Sequence, residues 1–179
     1  MNHRPRPEEL EEAQEIVKKA VSKAEKILPK NREVEVGYSW TEDDFVKDQM
    51  NGAAGNAFSP VYFEVEFNTE VAQWRKALLG SGVHEFAHTY FFERTGKDYT
   101  DEKPIWQYII EEALTQNITE KAVPEAPEPW RKKYSAEYIA DYWPKIRDEE
   151  LERNYDFPDH LYVNKSEDGY PNWIGYSIL

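Results

Sequence analysis

Cysteine is absent from the 179-residue sequence, and positively charged residues are outnumbered. The lack of cysteine excludes disulfides and thiolate metal ligands. The chain has 22 Lys and Arg against 35 Asp and Glu, which gives a formal net charge of −13 at pH 7. Because binding to nucleic-acid phosphates requires clustered Lys and Arg, this charge argues against a nucleic-acid partner.

Long apolar runs are also missing. No stretch has the length that crosses a membrane, and the first residues, "MNHRPRPEELEEAQ", lack the apolar segment of a secretory signal. We therefore expect a soluble cytoplasmic protein without a membrane partner. The sequence does contain 6 Trp, 12 Tyr and 8 Phe, which are enough large side chains to build a core.

Residues 7–68 combine one helical and two extended patterns. Apolar residues recur at helical spacing over Pro7–Leu28 and predict an amphipathic helix that Pro29 ends. The stretches "REVEVGYSW" (32–40) and "VYFEVEFN" (61–68) alternate apolar and polar residues, as half-buried strands do. The intervening "NGAAGNAFSP" predicts a glycine-bearing loop. The apolar face of the second strand consists of Val61, Phe63, Val65 and Phe67.

A long helix is predicted from Glu70 to Arg94. Asn68-Thr69 offers an N-cap, and Gly96 ends the helix. The glycines at positions 80 and 82 weaken this helix by roughly 1 kcal/mol each. Such a cost indicates either close packing of another backbone or a break before residue 83.

Helical patterns occupy most of the remaining chain. We predict helices over residues 102–119 and 135–153, the second interrupted at Pro144. The order of one helix, two strands and then only helices predicts an α+β fold. We expect one domain over residues 1–179, made of an N-terminal helix (1–30), a core (33–122) and a helical and loop region (123–179).

The segment "GVHEFAHT" (82–89) carries the strongest functional signal. On a helix, His84 and His88 lie one turn apart on the same face, and Glu85 borders that face. This is the HExxH arrangement, in which two imidazoles bind zinc and the glutamate accepts a proton from a water molecule that zinc makes acidic. The alternative is two surface histidines and a solvated glutamate. Apolar neighbours favour the metal site, because buried imidazoles need a partner.

Zinc with two histidines needs a third protein ligand and one open position. One known solution places Gly three and His or Asp six residues after the second histidine, but those positions hold Phe91 and Arg94. Another places a glutamate on a following helix. Glu111 and Glu112 stand 23 and 24 positions after His88. Helix periodicity does not choose between them, because they border the apolar stripe on opposite sides.

The two motifs together resemble the gluzincin metallopeptidases. His84-Glu85-Phe86-Ala87-His88 is followed by Glu112-Ala113-Leu114-Thr115, and in that clan the ligand glutamate precedes a small, a bulky apolar and a small residue. The resemblance therefore favours Glu112. The chain is most similar to the small predicted zinc-dependent protease domains called minigluzincins, over residues 50–118 and more loosely at "GYPNWIGYSIL".

This resemblance implies a zincin-like domain with a small antiparallel sheet packed on the HExxH helix and a following Glu-bearing helix. It implies one Zn²⁺ ion held by His84, His88 and Glu112. Gln116, one turn after Glu112, occupies a position where relatives place a residue that orients a ligand histidine. Glu111 is a second candidate for such a supporting role.

The predicted reaction is hydrolysis of peptide bonds in a peptide or protein substrate, with Glu85 as general base. A donor for the developing oxyanion is also needed, usually a Tyr or His. Tyr170, Tyr176 and His160 are the candidates. The strand "VYFEVEFN" is either a sheet edge to which an extended peptide adds or simply the second strand of the sheet.

Two other interpretations remain open at this point. One is a catalytically silent zinc-binding module with a regulatory or interaction role, although such a module does not require Glu85. The other is a metal-free helical interaction domain with an acidic surface. The sequence predicts neither the cleavage specificity nor the oligomeric state.

Overall fold

A computed structural model describes residues 4–29, 33–98, 100–126, 134–155 and 174–178. The fold is α+β, as predicted. Its elements are α1 (Pro7–Glu25), β1 (Glu35–Trp40), β2 (Ala53–Ser59), β3 (Tyr62–Phe67), α2 (Trp74–Thr95), β4 (Lys103–Pro104), α3 (Ile105–Ala122), α4 (Ala136–Lys145), β5 (Asn154–Tyr155) and α5 (Ile174–Ser177). None of the helices in the described ranges has both the length and the apolar character needed to traverse a membrane.

The main sheet has three strands in the order β1-β3-β2 and is mixed. β3 runs parallel to β1 and antiparallel to β2. The prediction of an antiparallel sheet was therefore wrong. Of the two alternatives for "VYFEVEFN", the sheet edge is excluded, because β3 is the central strand. Its apolar face is confirmed for Phe63, Val65 and Phe67, whereas Val61 is exposed and lies in the preceding turn.

The prediction that "NGAAGNAFSP" is a loop was wrong, because most of this stretch forms strand β2. Its residues are small and lack β-branching, so propensity alone did not indicate a strand. The strand instead forms through pairing with β3, with Gly55 opposite Val65 and Ala57 opposite Phe63. Because β2 lies between β1 and β3 in the chain and pairs antiparallel with β3, the neighbouring strands β1 and β3 run parallel.

One compact unit comprises residues 1–99 and 115–129. Helix α1 ends at Glu25, three residues earlier than predicted, and buries Ala13, Val17, Ala20 and Ala24. A Cβ added at Gly82 of α2 would lie 2.9 Å from the Cβ of Ala20. Close packing of α1 therefore explains this glycine, and α2 runs unbroken through it.

Helix α2 starts at Trp74, four residues later than predicted. Asn68 does not cap the helix. Its side chain instead accepts a hydrogen bond from the Glu70 amide at 2.9 Å and donates one to the Thr41 carbonyl at 2.8 Å. At the other end, Gly96 adopts a left-handed conformation with φ 69°, which confirms the predicted C-terminal stop.

The second compact unit comprises residues 100–114 and 130–179. Its buried centre consists of Ile105, Tyr108, Ile146 and Ile174. Helix α3 starts at Ile105 rather than Glu102, because Lys103 and Pro104 pair with β5. Helix α4 is not interrupted at Pro144 but continues to Lys145 and passes into a π-helical turn at Ile146–Glu150. The predicted single domain and its subdivisions stay predictions.

Candidate metal centre

Helix α2 brings His84 and His88 together. Their Nε2 atoms are 3.1 Å apart, and both side chains lie on one face at i and i+4. Two zinc–nitrogen bonds of about 2.0–2.1 Å at a tetrahedral angle separate the nitrogens by about 3.3 Å. The observed spacing therefore suits two imidazoles that share one ion, and it also suits a hydrogen bond in which one ring donates to the other.

Helix α3 supplies a carboxylate to the same group. His84, His88 and Glu112 each offer one ligand atom, and these three atoms all lie within 4.8 Å of one another. His84 and Glu112 are buried. Two imidazole nitrogens and one carboxylate oxygen form a donor set that zinc takes in catalytic sites, with a fourth position left for water or substrate. The three residues therefore fit a zinc ion.

The neighbouring Glu111 is engaged elsewhere. One of its carboxylate oxygens pairs with the Lys103 ammonium, and the other accepts a hydrogen bond from Gln107 Nε2 at 2.8 Å. The ammonium of Lys103 also lies 4.3 Å from the ring centre of Tyr108. Of the two carboxylates that helix periodicity left open, Glu112 is the one that lies in the group that could hold a metal ion.

Glu85 lies between the two histidines in the sequence and is buried. Its side chain packs against the backbone of β2 at Gly55, where an added Cβ would lie 2.5 Å from Glu85 Cγ. The helix thus carries a buried carboxylate in the turn between the two histidines, and strand β2 limits the space in which its side chain moves.

The profile of a family described as predicted Zn-dependent protease (DUF2268) matches residues 13–178. The chain belongs to this family. No curated protein and no solved structure gives a significant match. The family description names a zinc-dependent protease, and the group of His84, His88 and Glu112 agrees with the zinc part of that description.

In this member of the predicted Zn-dependent protease family, Gln116 lies on α3 one turn after Glu112 and is buried. Its Nε2 atom has no hydrogen-bond partner within the described part of the chain. The neighbouring Thr115 and Thr119 are also buried, and the Thr119 hydroxyl donates to the Thr115 carbonyl at 2.8 Å. The role of Gln116 in orienting a histidine stays a prediction.

Of the three oxyanion candidates, Tyr176 is the one that lies within the described residues. Tyr176 lies on α5, half-buried against the cluster around Ile105 and Ile174 in the second unit. Tyr170 and His160 lie outside the described residues. All three assignments stay predictions for this family member.

Sequence reasoning missed three residues around the site. Gln107 precedes Glu111 by one helical turn, so the i,i+4 rule could have found it. Lys103 reaches Glu111 from β4, and no helical spacing indicates a partner outside the helix. Gly55 was assigned to a loop, although a glycine inside a strand is a known sign of close backbone approach.

Proposed function

We propose that the protein is a gluzincin-type zinc metallopeptidase that hydrolyses peptide bonds. One Zn²⁺ ion is held by His84, His88 and Glu112, and Glu85 is the general base. The observation that carries this proposal is the convergence of three ligand atoms within 4.8 Å, with Glu85 next to one ligand on the same helix. The family description supports the same conclusion.

When bound, zinc supplies Lewis acidity, which polarises a peptide carbonyl and makes water acidic enough to lose a proton near neutral pH. The carboxylate of Glu85 accepts a proton from the attacking water as the water oxygen bonds to the carbonyl carbon of the peptide. Glu85 then gives this proton to the amide nitrogen as the C–N bond breaks. The products are a carboxylic acid and an amine, and Glu85 returns to its ionised form.

Strand β2 is the part of the sheet best suited to hold an extended substrate. Within the described residues it pairs with β3 on one side only, so its other edge can accept a peptide as an added strand. The contact between Gly55 and Glu85 places this strand beside the proposed base. A peptide or protein chain is therefore the proposed substrate.

The stabilising donor for the oxyanion is proposed to come from Tyr176, Tyr170 or His160. Phenylalanine at either tyrosine position, or glutamine at His160, keeps most of the side-chain volume and removes or alters the donor. Loss of one such donor is expected to lower kcat about 100-fold or more. Only the residue that performs this role should show that loss with zinc content unchanged.

The deciding experiment compares wild type with Glu85→Gln. Elemental analysis should find one zinc per chain in both, and cleavage of a peptide library should occur in wild type and be lost in the variant. Glu15→Gln, an exposed charge removal on α1, serves as control and should retain activity. Wild type without zinc would contradict the metal centre, whereas stoichiometric zinc without any cleavage would favour the silent zinc-binding module.

A further inference from the structure

Gly55 of strand β2 occupies a position where an added side-chain carbon would collide with its neighbours. A Cβ built at Gly55 would lie 2.5 Å from Glu85 Cγ and 3.2 Å from Glu85 Cδ. It would also lie 2.9 Å from the carbonyl oxygen of Glu64 on β3. The first distance is far below ordinary carbon–carbon contact, so one of the two groups would have to move.

Backbone conformation does not explain this glycine. Among the described residues, the glycines with positive φ are Gly52 and Gly96, so Gly55 has a φ that other residues adopt. A glycine inside a strand normally weakens it, because it has no side chain to pack and loses more entropy on folding. The reason that remains is the close approach of other groups, of which the Glu85 side chain is the nearest.

The neighbours of Gly55 on the same strand face show that the lack of room for a Cβ is confined to position 55. Strand alternation places Ala53 and Ala57 on that face, and both are buried. The Ser81 hydroxyl of α2 donates to the Ala53 carbonyl at 3.5 Å, so the helix lies close along this strand. A methyl group is present on either side of Gly55 and absent only opposite Glu85.

We propose that Gly55 is a positioning residue for Glu85. The bare backbone of β2 forms the wall against which the Glu85 side chain rests, and this wall keeps its carboxylate in one orientation beside His84. The inference rests on the proposed function, in which Glu85 is the general base. A methyl group at position 55 would push Glu85 Cγ from 2.5 Å to at least about 3.4 Å, a displacement of about 1 Å.

The kinetic test is Gly55→Ala measured against Gly37→Ala. Because a displacement of about 1 Å costs on the order of 100-fold in rate, Gly55→Ala should lower kcat about 100-fold with KM and zinc content unchanged. Gly37 is also a strand glycine, and its added Cβ would lie 2.6 Å from the Tyr62 hydroxyl and 2.7 Å from Glu64 Cγ, so a side chain must shift there as well. Glu64 is exposed and can turn towards solvent, and neither Tyr62 nor Glu64 belongs to the proposed site. Gly37→Ala should therefore keep kcat within about twofold.

A thermal double-mutant cycle tests the contact without any activity. Gly55→Ala should lower Tm in wild type, and the loss should be smaller by about 3 °C or more in a Glu85→Ala background, which lacks the Cγ atom. An equal loss in both backgrounds would place the clash at the Glu64 carbonyl and overturn the proposal. If wild type cleaves no peptide, the proposed function fails, but this cycle still decides the role of Gly55.

Discussion

Lys103 and Glu111 form an ion pair in which each side chain is only 7% exposed. Gln107 donates to the second oxygen of the same carboxylate, and Tyr108 lies under the Lys103 ammonium. Both charges are therefore compensated inside the second unit. Glu111 is engaged in this way, whereas the adjacent Glu112 lies in the group that could hold a metal ion.

Removing only one charge of this ion pair should lower the free energy of unfolding. Lys103→Met leaves the Glu111 carboxylate buried with only Gln107 as a partner, so the free energy of unfolding should fall by about 3 kcal/mol. The double variant Lys103→Met with Glu111→Gln removes both charges and should recover most of that loss. Urea denaturation monitored by tryptophan fluorescence measures both. Equal losses in the single and double variants would contradict a buried, mutually compensated pair.

Substitution of Glu112 should weaken zinc binding more than substitution of the adjacent Glu111. Glu112→Gln removes a ligand oxygen and should weaken zinc binding by more than about 100-fold, because changes that only perturb ligand orientation already cost 10–100-fold. Glu111→Gln should weaken it less, since the Glu111 carboxylate is bonded to Lys103 and Gln107 and is not part of the candidate metal group. Competition with a chromophoric chelator measures both constants. A larger effect at Glu111 than at Glu112 would reverse the assignment.

The contact between α1 and α2 depends on Gly82. Alanine at this position favours the helix by about 1 kcal/mol, but its Cβ would lie 2.9 Å from the Cβ of Ala20, and overpacking between two helices costs about 1–3 kcal/mol. Gly82→Ala should therefore lower the free energy of unfolding by about 1 kcal/mol.

Gly80→Ala is the matched control for this contact. A Cβ added at Gly80 would also lie 2.9 Å from a methyl group, in this case that of Ala126. Ala126 lies in a bend after α3 rather than in a helix, so it should shift more easily than Ala20. We expect a smaller loss at Gly80 than at Gly82 in the same urea titration. Stabilisation by Gly82→Ala would show that α1 moves aside at little cost.

An ion pair between α1 and α2 should make stability depend weakly on pH. Arg75 binds Glu12 through two bonds of 2.6 Å and 2.7 Å, and this hydrogen bonding lowers the pKa of Glu12 below its usual 4.5. Since the folded state favours the ionised carboxylate, the stabilisation is present above pH 4.5 and is lost as pH falls through the lowered pKa. Both side chains are largely exposed, so the contribution is below about 1 kcal/mol.

The measurement is the Tm of Glu12→Gln relative to wild type across pH. The variant should melt about 1–3 °C lower at pH 7, and the difference should shrink towards zero as the pH falls from 4.5 through the lowered pKa of Glu12. Glu11→Gln removes a neighbouring exposed charge while leaving the Arg75–Glu12 pair in place, and serves as the control. A difference that stays constant with pH would exclude the ion pair as its cause.

How far the sequence predicts the structure depends on the range of the interactions involved. The face shared by His84 and His88, the apolar stripe of α1 and the stop at Gly96 follow from helical periodicity and local backbone preference, which a single segment contains. Strand β2 depends instead on pairing with β3 and packing under α2, so its own composition did not indicate it. Helix α3 starts later than predicted for the same reason, because Lys103 and Pro104 pair with β5.

By itself, the sequence determined the HExxH helix, the absence of thiolate ligands and the two possible carboxylates for the metal. Only the tertiary structure decided that β3 is central, that Glu111 pairs with Lys103 while Glu112 joins the histidines, and that Gly55 faces Glu85. The physical reason is that spacing within one helix sets which residues share a face. Contacts between elements far apart in the chain form only when the whole core packs.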